Sequence, residues 1–135
     1  MRADARDASS DVQAKAMRAT QVSFGYRLAT ALTGTAVILY LSLAPSDALP
    51  SVSLWDKAEH ALAYAALTVA WGLAFPARIW LAAAGVFAFG IAVELLQAAM
   101  HFGRVGHLYD VAANLFGIAA GLLAMGWMRL LSRLR

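Results

Sequence analysis

The stretch Ile79–Met100, IWLAAAGVFAFGIAVELLQAAM, decides the class of fold because it is apolar throughout except for Glu94 and Gln97. A helix that crosses a bilayer needs about 20 such residues in a row. The rest of the chain has a similar character, since 61% of its 135 residues are apolar and only 14% are charged. A soluble domain of this size leaves about a third of its unfolded surface in water. The composition therefore excludes a soluble globular domain, a disordered chain and a coiled coil, and indicates a small polytopic membrane protein.

Polar breaks separate this stretch from three other apolar runs, and the pattern predicts an all-α, integral membrane four-helix bundle. The loops between the runs are short, so we expect neighbouring helices to be antiparallel. Residues 1–27 are predicted to form a polar cytoplasmic tail and residues 129–135 a basic one. The membrane domain is predicted over residues 28–128, with spans at 28–44, 58–75, 79–100 and 108–128.

The basic residues are distributed unevenly, and this predicts the orientation of the chain. With the N-terminus inside, nine of the 11 lysines and arginines lie in the two tails or in the turn at Arg78. Only Lys57 and Arg104 fall in the loops on the other side. Cytoplasmic segments of membrane proteins carry an excess of Lys and Arg. We therefore expect both termini in the cytoplasm and both polar loops on the outer side.

The composition also limits the chemistry that is available to the protein. The chain contains no cysteine. This excludes disulfides, cysteine-ligated zinc, iron–sulfur clusters and thiol nucleophiles. No run of basic residues interleaved with aromatic ones suggests nucleic-acid binding. We expect no nucleic-acid partner, no resident cofactor and no metal.

Ionisable residues at the outer end of the second span form the first candidate site. Asp56, His60 and Tyr64 recur every four residues and therefore share one face of a helix, with Lys57 beside them. Ionisable residues within spans are costly in lipid and mark functional positions. Taken alone, this group is also typical of a capping cluster at the lipid interface.

The third and fourth spans carry polar stripes of their own. Glu94 and Gln97 share a face of the third span, and Glu94 lies roughly 10 Å below its outer end. A carboxylate at that depth must be protonated, paired or in contact with a wet cavity. Asp110 and Asn114 share a face of the fourth span. A neutral Glu94 that bonds to a neighbouring helix is the alternative interpretation for the third span.

Glycines continue two of these stripes, and we assign them to helix packing. Gly117 and Gly121 form a small-x-x-x-small pattern, which lets two helix backbones approach closely. Gly90 lies on the same face as Glu94. For these three positions a structural role is favoured over a chemical one.

Antiparallel packing brings all three polar stripes, together with Arg104 from the outer loop, to the same leaflet. Chance scatter would place some of these residues at the inner end or facing lipid. We therefore predict one polar pocket that opens outward and binds a ligand. Its predicted lining is Asp56, Lys57, His60, Tyr64, Glu94, Gln97, Arg104, Asp110 and Asn114.

In order along the chain, these residues resemble the VanZ-like family of small bacterial membrane proteins. The resemblance covers residues 42–127, which is most of the chain beyond the N-terminal tail. The matching motifs are Asp56-Lys57-x-x-His60-x-x-x-Tyr64, Glu94-x-x-Gln97, Arg104, and Asp110-x-x-x-Asn114-x-x-Gly117-x-x-x-Gly121. The resemblance implies a multi-pass protein of the bacterial cytoplasmic (inner) membrane. It also implies a link to glycopeptide (teicoplanin) resistance, but it does not decide between an enzyme and a binding protein.

Three functions are compatible with this set of residues. The leading hypothesis is a protein that binds or handles an anionic amphiphile of the cell envelope, either a phospholipid or a lipid-linked wall precursor. Lys57, His60 and Arg104 would then hold the anionic headgroup. In a membrane enzyme acting on such a lipid, the candidate catalytic residues are His60, Glu94 and Asp110, with a metal-assisted variant that adds Asp56. In a structural or assembly protein, the polar cluster would only hold the helices together.

Overall fold

A computed structural model describes residues 2–44, 56–100 and 108–134, and this part of the chain is almost entirely helical. It contains four α-helices and no β-strand. The prediction of an all-α chain is confirmed. A short 3-10 turn, Pro76–Arg78, joins the second and third helices. The helices are α1 (Arg2–Leu43), α2 (Asp56–Ala74), α3 (Ile79–Met100) and α4 (Leu108–Arg133).

Helix α1 begins at Arg2 and therefore includes nearly all of the segment that was predicted as a polar tail. Its 42 residues form one continuous helix. The N-terminal half is rich in alanine and contains no proline, and such a composition favours helix over coil. Hydropathy located the apolar part of this helix but not its start, because a polar helix carries no apolar signal.

Of the four helices that the structure describes, three are long and apolar enough to cross a membrane. These segments are Ser23–Leu43, Pro76–Met100 and Leu108–Arg133. Helix α2 is the fourth predicted span, but it is not among them. It begins with the polar sequence Asp56-Lys57-Ala58-Glu59-His60, which lowers its mean hydropathy.

Contacts between side chains define the direction of each helix. Lys57 pairs with Asp110 and His60 pairs with Asn114, so α2 and α4 run parallel. Helix α1 runs antiparallel to α2, because Phe24 near its middle contacts Phe75 and its later residues reach earlier parts of α2. Helix α3 runs antiparallel to both α2 and α4, because its first residue, Ile79, lies near Gly72, whereas its later residue Gly90 lies near Tyr64 and Asn114. The chain therefore passes up, down, up and down, as short connections require.

The most extensive contact in the bundle is between α2 and α4, and two glycines of α4 make it close. A Cβ atom at Gly121 would lie 2.7 Å from Cβ of Thr68 and 2.8 Å from the carbonyl oxygen of Ala65. A Cβ atom at Gly117 would collide with the carbonyl oxygen of Ala61. The absence of side chains at these two positions lets the two backbones touch.

The bundle has a basic end and a polar end. Arg27 donates to the carbonyl oxygen of Leu73, and Arg129 donates to that of Pro76. Arg78 and Arg133 lie at the same end, in the 3-10 turn and the last turn of α4. The predicted polar residues of α2, α3 and α4 lie at the other end.

Candidate functional site

The polar end brings together seven of the nine predicted site residues, from three helices. Helix α2 contributes Lys57, His60 and Tyr64. Helix α3 contributes Glu94 and Gln97, and helix α4 contributes Asp110 and Asn114. We call these seven residues the polar cluster. Asp56 is the first residue of α2, and its side chain lies outside the described part. Arg104 lies in residues 101–107, which are also outside it.

Most of the polar cluster is buried. Glu94 and Gln97 are each 7% exposed, Asp110 is 6% exposed, and Asn114 and Tyr64 are each 2% exposed. Polar side chains that are removed from water need partners of their own. Each buried polar atom of the cluster therefore needs a donor or an acceptor from a neighbouring residue.

His60 and Asn114 form the central hydrogen bond of the polar cluster. The Nδ1 atom of His60 lies 3.1 Å from the Oδ1 atom of Asn114. An amide oxygen only accepts hydrogen bonds, so Nδ1 of His60 donates and carries the proton. In a neutral imidazole this leaves the lone pair on Nε2, which is then available as a base or as a metal ligand.

His60 lies next to two carboxyl groups. One ligand atom from each of His60, Glu94 and Asp110 lies within 4.8 Å of the other two. These three residues belong to three different helices, so only the tertiary packing brings them together. Two carboxylates at this distance repel each other, and a cation between them relieves this repulsion.

Lys57 supplies a positive charge to this group. Its Nζ atom lies 3.6 Å from Oδ1 of Asp110, and its side chain is 33% exposed. The distance is longer than an ordinary hydrogen bond. Oδ1 of Asp110 is buried and accepts no hydrogen bond from the part of the chain that the structure describes, so its interaction with Lys57 is an ion pair without direct hydrogen bonding.

Gly90 makes room for the ring of Tyr64. A Cβ atom at position 90 would lie 2.9 Å from Cε1 and 3.2 Å from the hydroxyl oxygen of Tyr64, and 3.3 Å from Nδ2 of Asn114. The glycine therefore lets Tyr64 and Asn114 pack directly against α3. This contact joins the polar cluster to the apolar core, because Tyr64 also packs with Leu67, Val86 and Ile118.

Gln97 has a partner outside the polar cluster. Its Nε2 atom donates to the carbonyl oxygen of Ser42, at 2.8 Å. That carbonyl lies near the end of α1, where the last carbonyl groups of a helix lack partners within it. The contact ties α1 to α3, so Gln97 has a packing role in addition to its place beside Glu94.

A cavity of about 340 Å³ lies between α1, α2 and α3, and its lining extends from Arg78 at the basic end of the bundle to Leu67 and Phe89 near the middle of their helices. Its volume falls within the range of about 300–1,000 Å³ that is typical of ligand sites. Leu67, Trp71, Val86 and Phe89 contribute to an almost entirely apolar lining. At its end nearest the cluster, the ring centroid of Phe89 lies 6.3 Å from that of Tyr64.

The sequence reasoning missed this cavity. Ala82, Gly85, Val86 and Phe89 recur at helical spacing on one face of α3, and the first two are small. Small residues beside aromatic ones predict either close packing or a groove. The choice between them depends on the neighbouring helices. Trp71 of α2 lies on the wall of the cavity that faces α3. Its position is fixed by a hydrogen bond from its Nε1 atom to Oγ1 of Thr35, at 3.0 Å.

Comparisons with known proteins add no relative to this description. No family model matches the chain, and no curated protein and no solved structure matches it.

Proposed function

We propose that this chain is a VanZ-like protein of the bacterial cytoplasmic membrane, with four spans and both termini inside. The uneven distribution of charge supports this orientation. Arg27, Arg78, Arg129 and Arg133 lie at one end of the bundle, and Lys57 lies at the other. Cytoplasmic ends carry such an excess of basic residues. Helix α2 crosses the bilayer with its charged first turn near the outer surface.

The function that the geometry supports best is the binding of an anionic amphiphile of the envelope, either a phospholipid or a lipid-linked wall precursor. The observation that carries this proposal is an apolar cavity whose wall includes Phe89, and the ring of Phe89 contacts the ring of Tyr64 in the polar cluster. An amphiphile has an apolar tail joined to a polar head, and it needs two such regions side by side. Tyr64 and Phe89 form the boundary between them.

Each region has a defined task in this proposal. Leu67, Trp71 and Phe89 surround the acyl chain and exclude water from it. Lys57, at the exposed edge of the cluster, provides the cation for the anionic headgroup, and Arg104 in the adjoining loop provides a second one. Asn114 and Glu94 orient these donors or accept hydrogen bonds from sugar hydroxyls.

Native mass spectrometry of the detergent-extracted protein, with the lipids that co-purify, tests the proposal. We expect one class of anionic lipid on the wild-type protein. Gly85→Leu places an isobutyl group in the cavity and should remove most of that lipid. Gly126→Leu is the matched control, because a Cβ atom at either glycine meets no other atom within 4 Å. Lys57→Met and Arg104→Ala should weaken lipid retention through the headgroup.

Two results would overturn the amphiphile proposal. One is an unchanged lipid content in both Gly85→Leu and Arg104→Ala. The other is a wild-type protein that carries only the average lipid mixture of the membrane. Either result would favour the structural or assembly role, in which the polar cluster holds the helices together.

A second candidate function is a membrane enzyme that acts on the same class of lipid. It is favoured by one observation, the proximity of His60 to the carboxyl groups of Glu94 and Asp110. Such an arrangement suits general acid–base catalysis. Incubation of the pure protein with a total extract of bacterial lipids, followed by mass analysis, should then show one product that His60→Ala does not form. If no lipid changes mass, the enzyme hypothesis is wrong and the binding hypothesis stands.

A further inference from the structure

The side chains of His60, Glu94 and Asp110 form a set of potential metal ligands within the polar cluster. Each offers one ligand atom, and these atoms all lie within 4.8 Å of one another. The ligand atoms around a tetrahedral zinc ion are about 3.4 Å apart, given bond lengths near 2.1 Å. The side chains therefore need to move by only about 1 Å to close around an ion. We propose that these three residues bind a divalent transition-metal ion of the zinc class.

The types of ligand select the ion. One imidazole and two carboxylates suit zinc and similar first-row ions, whereas calcium and magnesium prefer ligands that are all oxygen. The hydrogen bond from Nδ1 of His60 to Asn114 leaves Nε2 as the atom with the lone pair. Ligating histidines in proteins are oriented by such a bond from their other nitrogen. Asn114 is therefore the positioning residue of the site.

The burial of the two carboxyl groups supplies a second argument. Glu94 and Asp110 are at least nine-tenths buried, and among the described residues none donates a hydrogen bond to Oδ1 of Asp110. A divalent cation neutralises two adjacent carboxylates at once and relieves their repulsion. It would also connect α2, α3 and α4 at the polar end.

The positive charge of Lys57 weakens metal binding at this site. Its ammonium group lies 3.6 Å from Oδ1 of Asp110, so it competes with a metal ion for the same carboxylate. Removal of this charge in Lys57→Met should therefore tighten metal binding several-fold. The same substitution should weaken the binding of an anionic headgroup. The opposite signs separate the metal site from the proposed amphiphile site, and neither proposal depends on the other.

The test uses the full-length protein in detergent, stripped with a chelator and without added lipid. Titration with Zn²⁺, followed by calorimetry and elemental analysis, should show one ion per chain. Glu94→Gln, Asp110→Asn and His60→Ala should each weaken the affinity by at least about 10-fold. Glu59→Gln is the matched control, because Glu59 is an exposed carboxylate on α2, next to His60. It should bind Zn²⁺ like the wild-type protein.

A second measurement covers the case in which a variant folds poorly. An ion that binds the folded state raises its melting temperature. The wild-type protein and Glu59→Gln should therefore melt at a higher temperature with Zn²⁺, and the isosteric Glu94→Gln should not. The proposal is overturned if the wild-type protein takes up no Zn²⁺. It is also overturned if Mg²⁺ binds equally well, or if Glu94→Gln and His60→Ala retain the wild-type affinity.

Discussion

Helix α2 has two faces that pack in opposite ways. On the face toward α4, glycines allow contact between backbones, and a Cβ atom at Gly117 would overlap a carbonyl oxygen of α2. On the face toward α1 and α3, Leu67 and Trp71 of α2 line a cavity of about 340 Å³. Lipid tails are as apolar as leucine, so the burial of apolar side chains does not drive helices together in a membrane. Close packing and interhelical hydrogen bonds decide which helices associate.

The difference indicates that the two faces of α2 have different roles. The α2–α4 contact provides a rigid pair that holds His60 and Asn114 in register. The opposite face of α2 lines the apolar cavity. If this interpretation is correct, substitutions on the close face should affect stability, and substitutions on the open face should affect ligand content. Three paired substitutions sharpen this comparison.

The largest effect is expected at Gly117. Gly117→Ala places a methyl group against the carbonyl oxygen of Ala61, and this oxygen moves only if the helices separate. We expect a loss of about 3 kcal/mol in the free energy of unfolding, at the upper end of the usual range for overpacking. Denaturant titration in detergent measures it. Gly126→Ala on the same helix is the control and should be neutral or slightly stabilising, since alanine favours helix. An equal loss in both variants would argue against a close α2–α4 contact.

An intermediate effect is expected at Gly90. Gly90→Ala displaces the ring of Tyr64, whose Cε1 atom would lie 2.9 Å from the new methyl group. A side chain gives way more easily than a backbone carbonyl, so we expect a smaller loss of about 1–2 kcal/mol. The matched variant Gly85→Ala, one and a half turns earlier on α3, adds a methyl group to open space. Its melting temperature should stay at or above that of the wild-type protein, and a clear fall would contradict the position of the cavity.

The smallest effect is expected at Thr35. Thr35→Val removes the acceptor of the hydrogen bond from Trp71 while it keeps the shape of the side chain. Interhelical hydrogen bonds in membranes contribute about 0.6 kcal/mol on average, and we expect a loss of that size. Thr30→Val is the control, because Thr30 donates to the carbonyl oxygen of Tyr26 in the same way that Thr35 donates to that of Ala31. The difference between the two variants therefore isolates the bond from Trp71. A fluorescence shift of the tryptophans in Thr35→Val alone would show that the cavity wall has moved.

Part of the candidate site could be predicted from the spacing of residues along each helix. Asp110 and Asn114 are four residues apart, and Glu94 and Gln97 are three apart, so each pair shares a face in any helix. Helical periodicity does not specify which helix that face meets. The ion pair between Lys57 and Asp110 and the hydrogen bond from Gln97 to Ser42 depend on packing across the bundle.

The apolar runs of the sequence determined that the chain is helical and that three of its helices are long enough to span a membrane. This follows because backbone groups in lipid must be satisfied within their own segment, and a helix does so from local sequence alone. The tertiary structure alone decided that α2 packs most extensively with α4, that His60, Glu94 and Asp110 meet, and that a cavity lies between α1, α2 and α3. These features depend on the rotation and separation of the helices. Both are set by contacts between residues far apart in the chain, such as Gly117 with Ala61.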